Sequence, residues 1–195
     1  MSVERIQQHF RDSAALQLEA VDGLSMPIAA AVDTMFGVLA NGNKILACGD
    51  GASSVDAQRI AAYLTARFER ERPGLPAMAL SADSAVLMAM AADGGLDDAY
   101  ARQVRAHGHA GDLLLVVTAT GDSTSVLAAI AEAHEREITV IALTGNGGGK
   151  AGAVLAETDI HLSVPSGRTA RIHEMHLLII HCLCDGIDAM LLGED

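Results

Sequence analysis

The chain has 195 residues, half of them hydrophobic and 19% charged, which is enough for one domain with a sizeable core and too apolar for a disordered chain. A net charge of −12 leaves no basic stripe to displace counterions, so direct nucleic-acid binding is excluded. With no Trp, two Tyr and three Phe, the core must be built from Ala, Leu, Ile, Val and Met.

Residues 3–21 read as a helix with Ile6, Phe10, Leu16 and Leu18 on its apolar positions, and residues 26–39 as a second helix stopped at Asn41-Gly42-Asn43. Residues 44–48 form a short apolar run closed by Gly49, the pattern of a buried strand. A helix over 53–68, a strand at 77–80 and helices over 84–92 and 97–106 follow. Next come a strand at 113–117, a helix over 123–136, a strand at 139–143, a glycine loop with a short helix, and a strand at 159–164. A helix over 168–192 finishes the chain, so strands alternate with helices and the fold class is α/β with a parallel sheet covered on both faces.

No repeat or linker interrupts residues 1–195, which read as a single domain. Residues 1–40 precede the first strand and need a partner surface, and the last helix is apolar on almost every side. Both features predict a homo-oligomer with helices packed at its centre. Cys48, Cys182 and Cys184 do not have zinc-knuckle or redox spacing and read as buried thiols in a reducing compartment. The opening MSVERIQQHF is charged and amphipathic, unlike a secretory leader, and no apolar run approaches a membrane span; the expected location is the cytoplasm.

Two loops carry chemistry. Gly49-Asp50-Gly51-Ala52-Ser53-Ser54 and Thr118-Ala119-Thr120-Gly121-Asp122-Ser123 each lead from a strand end into a helix start, where backbone amides and the helix dipole favour an anion. Thr118, Thr120 and Ser123 can each donate to a phosphate oxygen, although Ser123 also reads as a plain helix cap. Two such loops on parallel strands point to a phosphate-bearing ligand beyond the carboxyl ends of the sheet. A third glycine tract, residues 145–150, matches GxGxxG when extended to Gly152, but the next strand follows too soon for a dinucleotide unit. Lacking a Ser or Thr after Lys150, it also fails as a Walker loop, and it reads as a mobile surface turn.

The segments GDGASSVDAQ, RFERERPGLPAMAL, TATGDS, TVIALTG and SGRTARIHEMHLLIIHCLCDGID resemble the sugar-isomerase (SIS) domain. Within it they are similar to the phosphoheptose isomerases and their sister branch, the DnaA initiator-associating proteins. The likeness runs through nearly the whole chain and implies a five-stranded parallel sheet and a homotetramer. It places Ser53, Thr118, Thr120 and Ser123 at phosphate-binding positions and Asp93 in the lining of the sugar pocket.

The chain departs from the isomerases where those carry a His and a Glu four residues apart, because Arg59 and Tyr63 stand there. Neither replaces a carboxylate base or a metal-binding imidazole. The isomerases' Gln on the final helix is His173, while their His is kept as His181. These two lie about 12 Å apart along one helix and could share an ion only across a subunit boundary. No metal is therefore expected, with zinc retained only if isomerase activity survives. His173 is expected to donate to the sugar, His176 to pack, and His181 to be the catalytic group of any surviving activity.

The primary expectation is a phosphosugar-binding, non-catalytic adaptor for the replication initiator DnaA, docking through the exposed tail at Leu191 and Leu192. The alternative is a phosphoheptose isomerase acting on sedoheptulose 7-phosphate. A third option is a sensor in which bound sugar phosphate regulates partner binding.

Overall fold

The computed structural model describes residues 2–193; Met1, Glu194 and Asp195 of the expected 1–195 unit lie outside the described residues. Five strands, β1 (Ile45–Gly49), β2 (Ala77–Ala79), β3 (Leu113–Val117), β4 (Thr139–Gly145) and β5 (Ile160–Val164), pair in the order β2-β1-β3-β4-β5. All pairings are parallel, and β1 and β3 run in register from Ile45 beside Leu113 to Gly49 beside Val117. Every residue of β1 and β3 is buried, because a parallel sheet covered on both faces leaves no solvent side for polar alternation.

One face carries α1 (Val3–Ala40), α2 (Ser53–Thr65) and α7 (Thr169–Leu192), whose apolar residues pack on Ala47, Leu115 and Val117. The opposite face carries α4 (Ala99–His107), α5 (Thr124–Glu135) and α6 (Gly149–Val154), packed on Leu46, Leu114 and Val116. Odd and even residues of β1, β3 and β4 thus feed separate cores, the period-two consequence of the pleat. The chain leaves β1 for one face and β3 for the other, so the loops after them part and open a crevice at the carboxyl ends. A further helix, α3 (Ser84–Asp93), has no buried residue despite its apolar sequence.

The two expected N-terminal helices are one. Residues 3–40 form a continuous α1 with Pro27 inside it. A proline removes one helical hydrogen bond and crowds the preceding turn, a cost of about 3 kcal/mol in isolation. Tertiary burial overrides it, since Leu16, Ala20, Leu24, Ala31, Val32 and Met35 form one stripe that crosses Pro27 and lies on α7 and β5. Breaking the helix at Pro27 would turn half of that stripe off the core.

Two other expectations need correction. Helices α1 and α7 each contain an 18-residue window apolar enough, by length and composition, to cross a membrane, with mean hydropathies of 1.5 and 1.6. Only part of that apolarity packs on the sheet and between the two helices, with 22% of the α1 window and 44% of the α7 window buried. Cys48 and Cys184 are buried as expected, but Cys182 is exposed on α7. Apolar side chains also remain exposed along α1, with Phe10, Leu18 and Met26 about three-quarters accessible, and on α7 at Leu178, Leu191 and Leu192.

A buried ion pair sets the position of α7. Arg72, in the segment between α2 and β2, places Nε 2.5 Å from Asp188 Oδ1, both side chains being 1% exposed. The same guanidinium donates through Nη1 to the Leu64 carbonyl at 2.8 Å and through Nη2 to the Tyr63 carbonyl at 2.9 Å. It therefore satisfies two carbonyls at the end of α2 while holding α7, work that a neutral side chain of equal volume could not do. Removing one partner strands the other charge in the core, so Asp188→Ala is expected to lower the unfolding free energy by about 3–5 kcal/mol. Urea titration of the variant measures the loss; an unchanged midpoint would show that the pair does not hold α7.

Candidate functional site

The first loop turns between β1 and α2 at Gly49, where a Cβ would stand 2.5 Å from the Ser53 carbonyl oxygen and 2.8 Å from that of Val117. Only glycine allows β1, β3 and the start of α2 to approach this closely. Tyr100 on α4 donates its hydroxyl to the Gly49 carbonyl at 2.7 Å, fixing the turn from the other face. Ser53 is 1% exposed and opens α2 at the crevice, while Asp50 Oδ1 is buried without a protein partner.

The second loop leaves β3 at Thr118, which is fully buried and accepts the Gly121 N–H on Oγ1 at 3.2 Å. Thr120 is exposed and accepts the Asp122 N–H at 3.3 Å. Ser123 precedes α5 but makes no side-chain cap; its Oγ shares a 3.2 Å hydrogen bond with Ser125 Oγ. Read from sequence alone, Ser123 could have been a simple cap; here its hydroxyl sits beside uncapped helix amides, an arrangement suited to an anion.

The third glycine tract lies at the surface as expected, with Asn146, Gly147, Gly149 and Lys150 exposed, but its backbone also packs on the second loop. Gly121 has φ +76°, and a Cβ on it would meet the Gly148 carbonyl oxygen at 1.8 Å. Ala151 N–H donates to the Gly121 carbonyl at 2.8 Å, and Lys150 N–H to Asp122 Oδ1 at 3.3 Å. Residues 147–151 therefore buttress the second loop from behind. The glycines are there for close backbone contact between two loops distant in sequence, which the chain order does not reveal.

At the same edge of the sheet, Asp56 in the first turn of α2 faces His173 in the first two turns of α7. Asp56 is 8% exposed; its Oδ2 lies 3.8 Å from His173 Nδ1 and its Oδ1 4.0 Å from Arg59 Nε. Burial pushes the Asp56 carboxyl above its ordinary value, against the opposing pull of His173 and Arg59. His176 is fully buried, with Nε2 3.0 Å from the Thr144 carbonyl oxygen and Nδ1 without a partner. Burial also pushes this imidazole down to about 4, so it is neutral near pH 7.

The other residues singled out in the sequence lie elsewhere. The His181 ring sits 5.9 Å from that of Tyr63 and 5.4 Å from that of Phe68, and its Nε2 is buried without a partner. Asp93 closes α3 on the surface, held by Arg102 at 3.1 Å. Leu191 and Leu192 end α7, each 42% exposed. The four positions that the resemblance assigns to a metal are thus divided: Arg59 and His173 flank Asp56, while Tyr63 and His181 join Phe68. A metal does not fit those four, because Arg59 brings a positive charge and no lone pair, and Tyr63 and Phe68 enclose the His181 ring. Sequence reasoning missed Asp56, whose signal was an acid in the first helical turn, and read His176 as packing alone.

Comparison with known proteins agrees with this fold. Residues 8–145 match the SIS domain. Phosphoheptose isomerase of Methylibium petroleiphilum is 54% identical over 194 residues, covering 100% of this chain and 97% of its own. That of Neisseria meningitidis serogroup B is 48% identical, with 97% and 96% covered. The solved phosphoheptose isomerase of Francisella tularensis superposes with a TM-score of 0.93 at 44% identity over 96% of this chain and 98% of its own. The corresponding structure from Neisseria gonorrhoeae gives 0.91 at 45% identity, over 95% and 98%.

These full-length relatives overturn the reading of the chain as a non-catalytic DnaA adaptor, which rested on the substituted positions Arg59 and Tyr63 and on the likeness of residues 182–188 to the DnaA-associating branch. Two substitutions weigh less than 48–54% identity over 97–100% of the chain. By sequence along its whole length and by the superposition of its sheet, the chain belongs to the SIS-domain family of phosphoheptose isomerases.

Proposed function

We propose that this chain is an aldose–ketose isomerase of heptose phosphates, converting sedoheptulose 7-phosphate to D-glycero-D-manno-heptose 7-phosphate. The observation that carries the reading is a buried carboxylate, Asp56, one helical turn beyond the hydroxyl-lined loops and flanked by Arg59 and His173. Ser53, Thr118, Thr120 and Ser123, with the amides that open α5, hold the phosphate at the crevice between β1 and β3.

Isomerisation needs a base that takes a proton from the hydroxymethyl carbon and returns it to the former carbonyl carbon. The hydroxyl proton meanwhile passes from one oxygen to its neighbour. Asp56 fits the base: burial raises its basicity, as such chemistry near neutral pH requires. The guanidinium of Arg59, beside Asp56 Oδ1, offsets negative charge on the enediolate oxygens. His173 donates to a sugar oxygen. His181, enclosed by Tyr63 and Phe68, has no part in this scheme. The exposed apolar residues of α1 and the end of α7, including Leu191 and Leu192, support the homotetramer that the resemblance implies. A cytoplasmic location suits an enzyme acting on sugar phosphates.

Sedoheptulose 7-phosphate in heavy water is expected to give aldose signals and deuterium beside the carbonyl with the wild type. Asp56→Asn should broaden the sugar-phosphate lines without exchange. Wild-type protein that broadens those lines and exchanges nothing would overturn the isomerase reading; Asp56→Asn that exchanges at the wild-type rate would remove Asp56 as the base.

The cradle yields a separate expectation. Gly121→Ala meets both the left-handed φ and the Gly148 carbonyl, adding about 1–3 kcal/mol of strain. Affinity for inorganic phosphate should fall about tenfold or more, since each 1.4 kcal/mol is a factor of about ten. Calorimetric titration measures it, and wild-type affinity in the variant would detach the buttress from phosphate binding.

A further inference from the structure

We infer that Asp56, His173 and His176 form a binding site for one divalent transition-metal ion, a set that shares only His173 with the four positions that the family resemblance designates. Each of the three offers a ligand atom, and these atoms all lie within 4.8 Å of one another. Ligands held at about 2.0–2.2 Å in tetrahedral geometry stand about 3.4 Å apart. The 3.8 Å between Asp56 Oδ2 and His173 Nδ1 is within a rotamer adjustment of that spacing.

His176 carries the strongest sign. It is fully buried, and its Nε2 lies 3.0 Å from the Thr144 carbonyl oxygen. A carbonyl only accepts, so the ring proton is on Nε2 and Nδ1 bears a bare lone pair. That Nδ1 is buried and unpartnered. A buried acceptor without a donor costs about 1–3 kcal/mol, whereas a metal ligand uses just such a lone pair. Ligating imidazoles characteristically donate their other N–H to a backbone carbonyl, which orients the ring and raises its basicity. The hydrogen bond to Thr144 supplies that orientation before any ion arrives.

The set is chemically coherent. Two neutral imidazoles and one carboxylate suit zinc, iron or nickel over calcium or magnesium, and three protein ligands leave a position open. His176 closes the site from the core, while the His173 side chain is 27% exposed and leaves a path from solvent. Oδ1 of Asp56 faces Arg59, so an ion on Oδ2 would occupy the lone pair that the proposed base needs, and ion binding and base catalysis by Asp56 are alternatives. Arg59 lies against Oδ1, the oxygen not paired with His173, so its charge flanks the site without occupying a ligand position. Among the described residues, this is the one group of three or more His, Cys, Asp or Glu side chains with metal-ligand spacing.

The site is tested without substrate, so the result does not depend on turnover. Tag-free protein stripped with chelator and titrated with cobalt is expected to take up one ion per chain and to develop visible d–d bands. Asp56→Asn and His173→Ala, both checked for folding by circular dichroism, should each weaken cobalt retention by at least about tenfold, the scale of losing a ligand or its support. His181→Ala should bind cobalt like the wild type. The inference is overturned by absence of stoichiometric cobalt, by retention that survives both Asp56→Asn and His173→Ala, or by retention lost with His181→Ala alone.

Discussion

Adjacent parallel strands whose crossovers leave by opposite faces must part at their carboxyl ends, and in this chain that constraint falls on β1 and β3. Their register brings Gly49 beside Val117, and the backbones are so close there that no Cβ fits on Gly49. From this point α2 descends on one face and α5 on the other. The two hydroxyl-bearing loops therefore face each other across a crevice that no side chain of the sheet has to fill. The two hydroxyl-bearing loops, the buttress at residues 147–151 and the first turn of α2 with Asp56 all take their positions from that divergence.

Holding α7 against α2 is the second requirement, because the site draws on both helices. Apolar packing along α1 and α7 supplies most of the burial, but it is non-directional and would tolerate sliding. The Arg72–Asp188 pair adds direction, tying the last turns of α7 to the end of α2 through a guanidinium that also caps Tyr63 and Leu64. With both helix ends joined, the start of α7 sets His173 opposite Asp56, at the other extreme of the same helix pair.

The distribution of charge around Asp56 differs from the one that the family resemblance implies. Where the isomerases resembled by this chain carry a His and a Glu on α2, it has a cation and a phenol, and the polar groups regroup accordingly. Arg59 turns to Asp56, while Tyr63 turns to an aromatic cluster with Phe68 and His181. The carboxylate is left between a guanidinium and an imidazole, in surroundings that raise its basicity by burial. Fold and family follow from the whole length of the chain, whereas the reacting groups depend on a few positions, and the two need not change together.

Much of the fold was legible in the residues themselves. Apolar runs of five to seven residues ending in glycine or a hydroxyl can only be buried parallel strands when helices of ten or more residues separate them, and β1, β3 and β4 lie where that pattern puts them. The hydroxyls of the second loop and the glycine of the first could be read because their chemistry is local to a strand-to-helix turn. What escaped was every contact between segments far apart in sequence. Continuity of α1 through Pro27 depends on a stripe that only α7 and β5 make worth burying. The buttress at Gly148 exists only because Gly121 leans on it, and Asp56 and His176 acquire meaning only once α2 and α7 bring them together with His173. Periodicity and turn chemistry act over a few residues and can be read in order along the chain, but the meeting of side chains from different helices is settled by packing, which no single stretch of sequence contains.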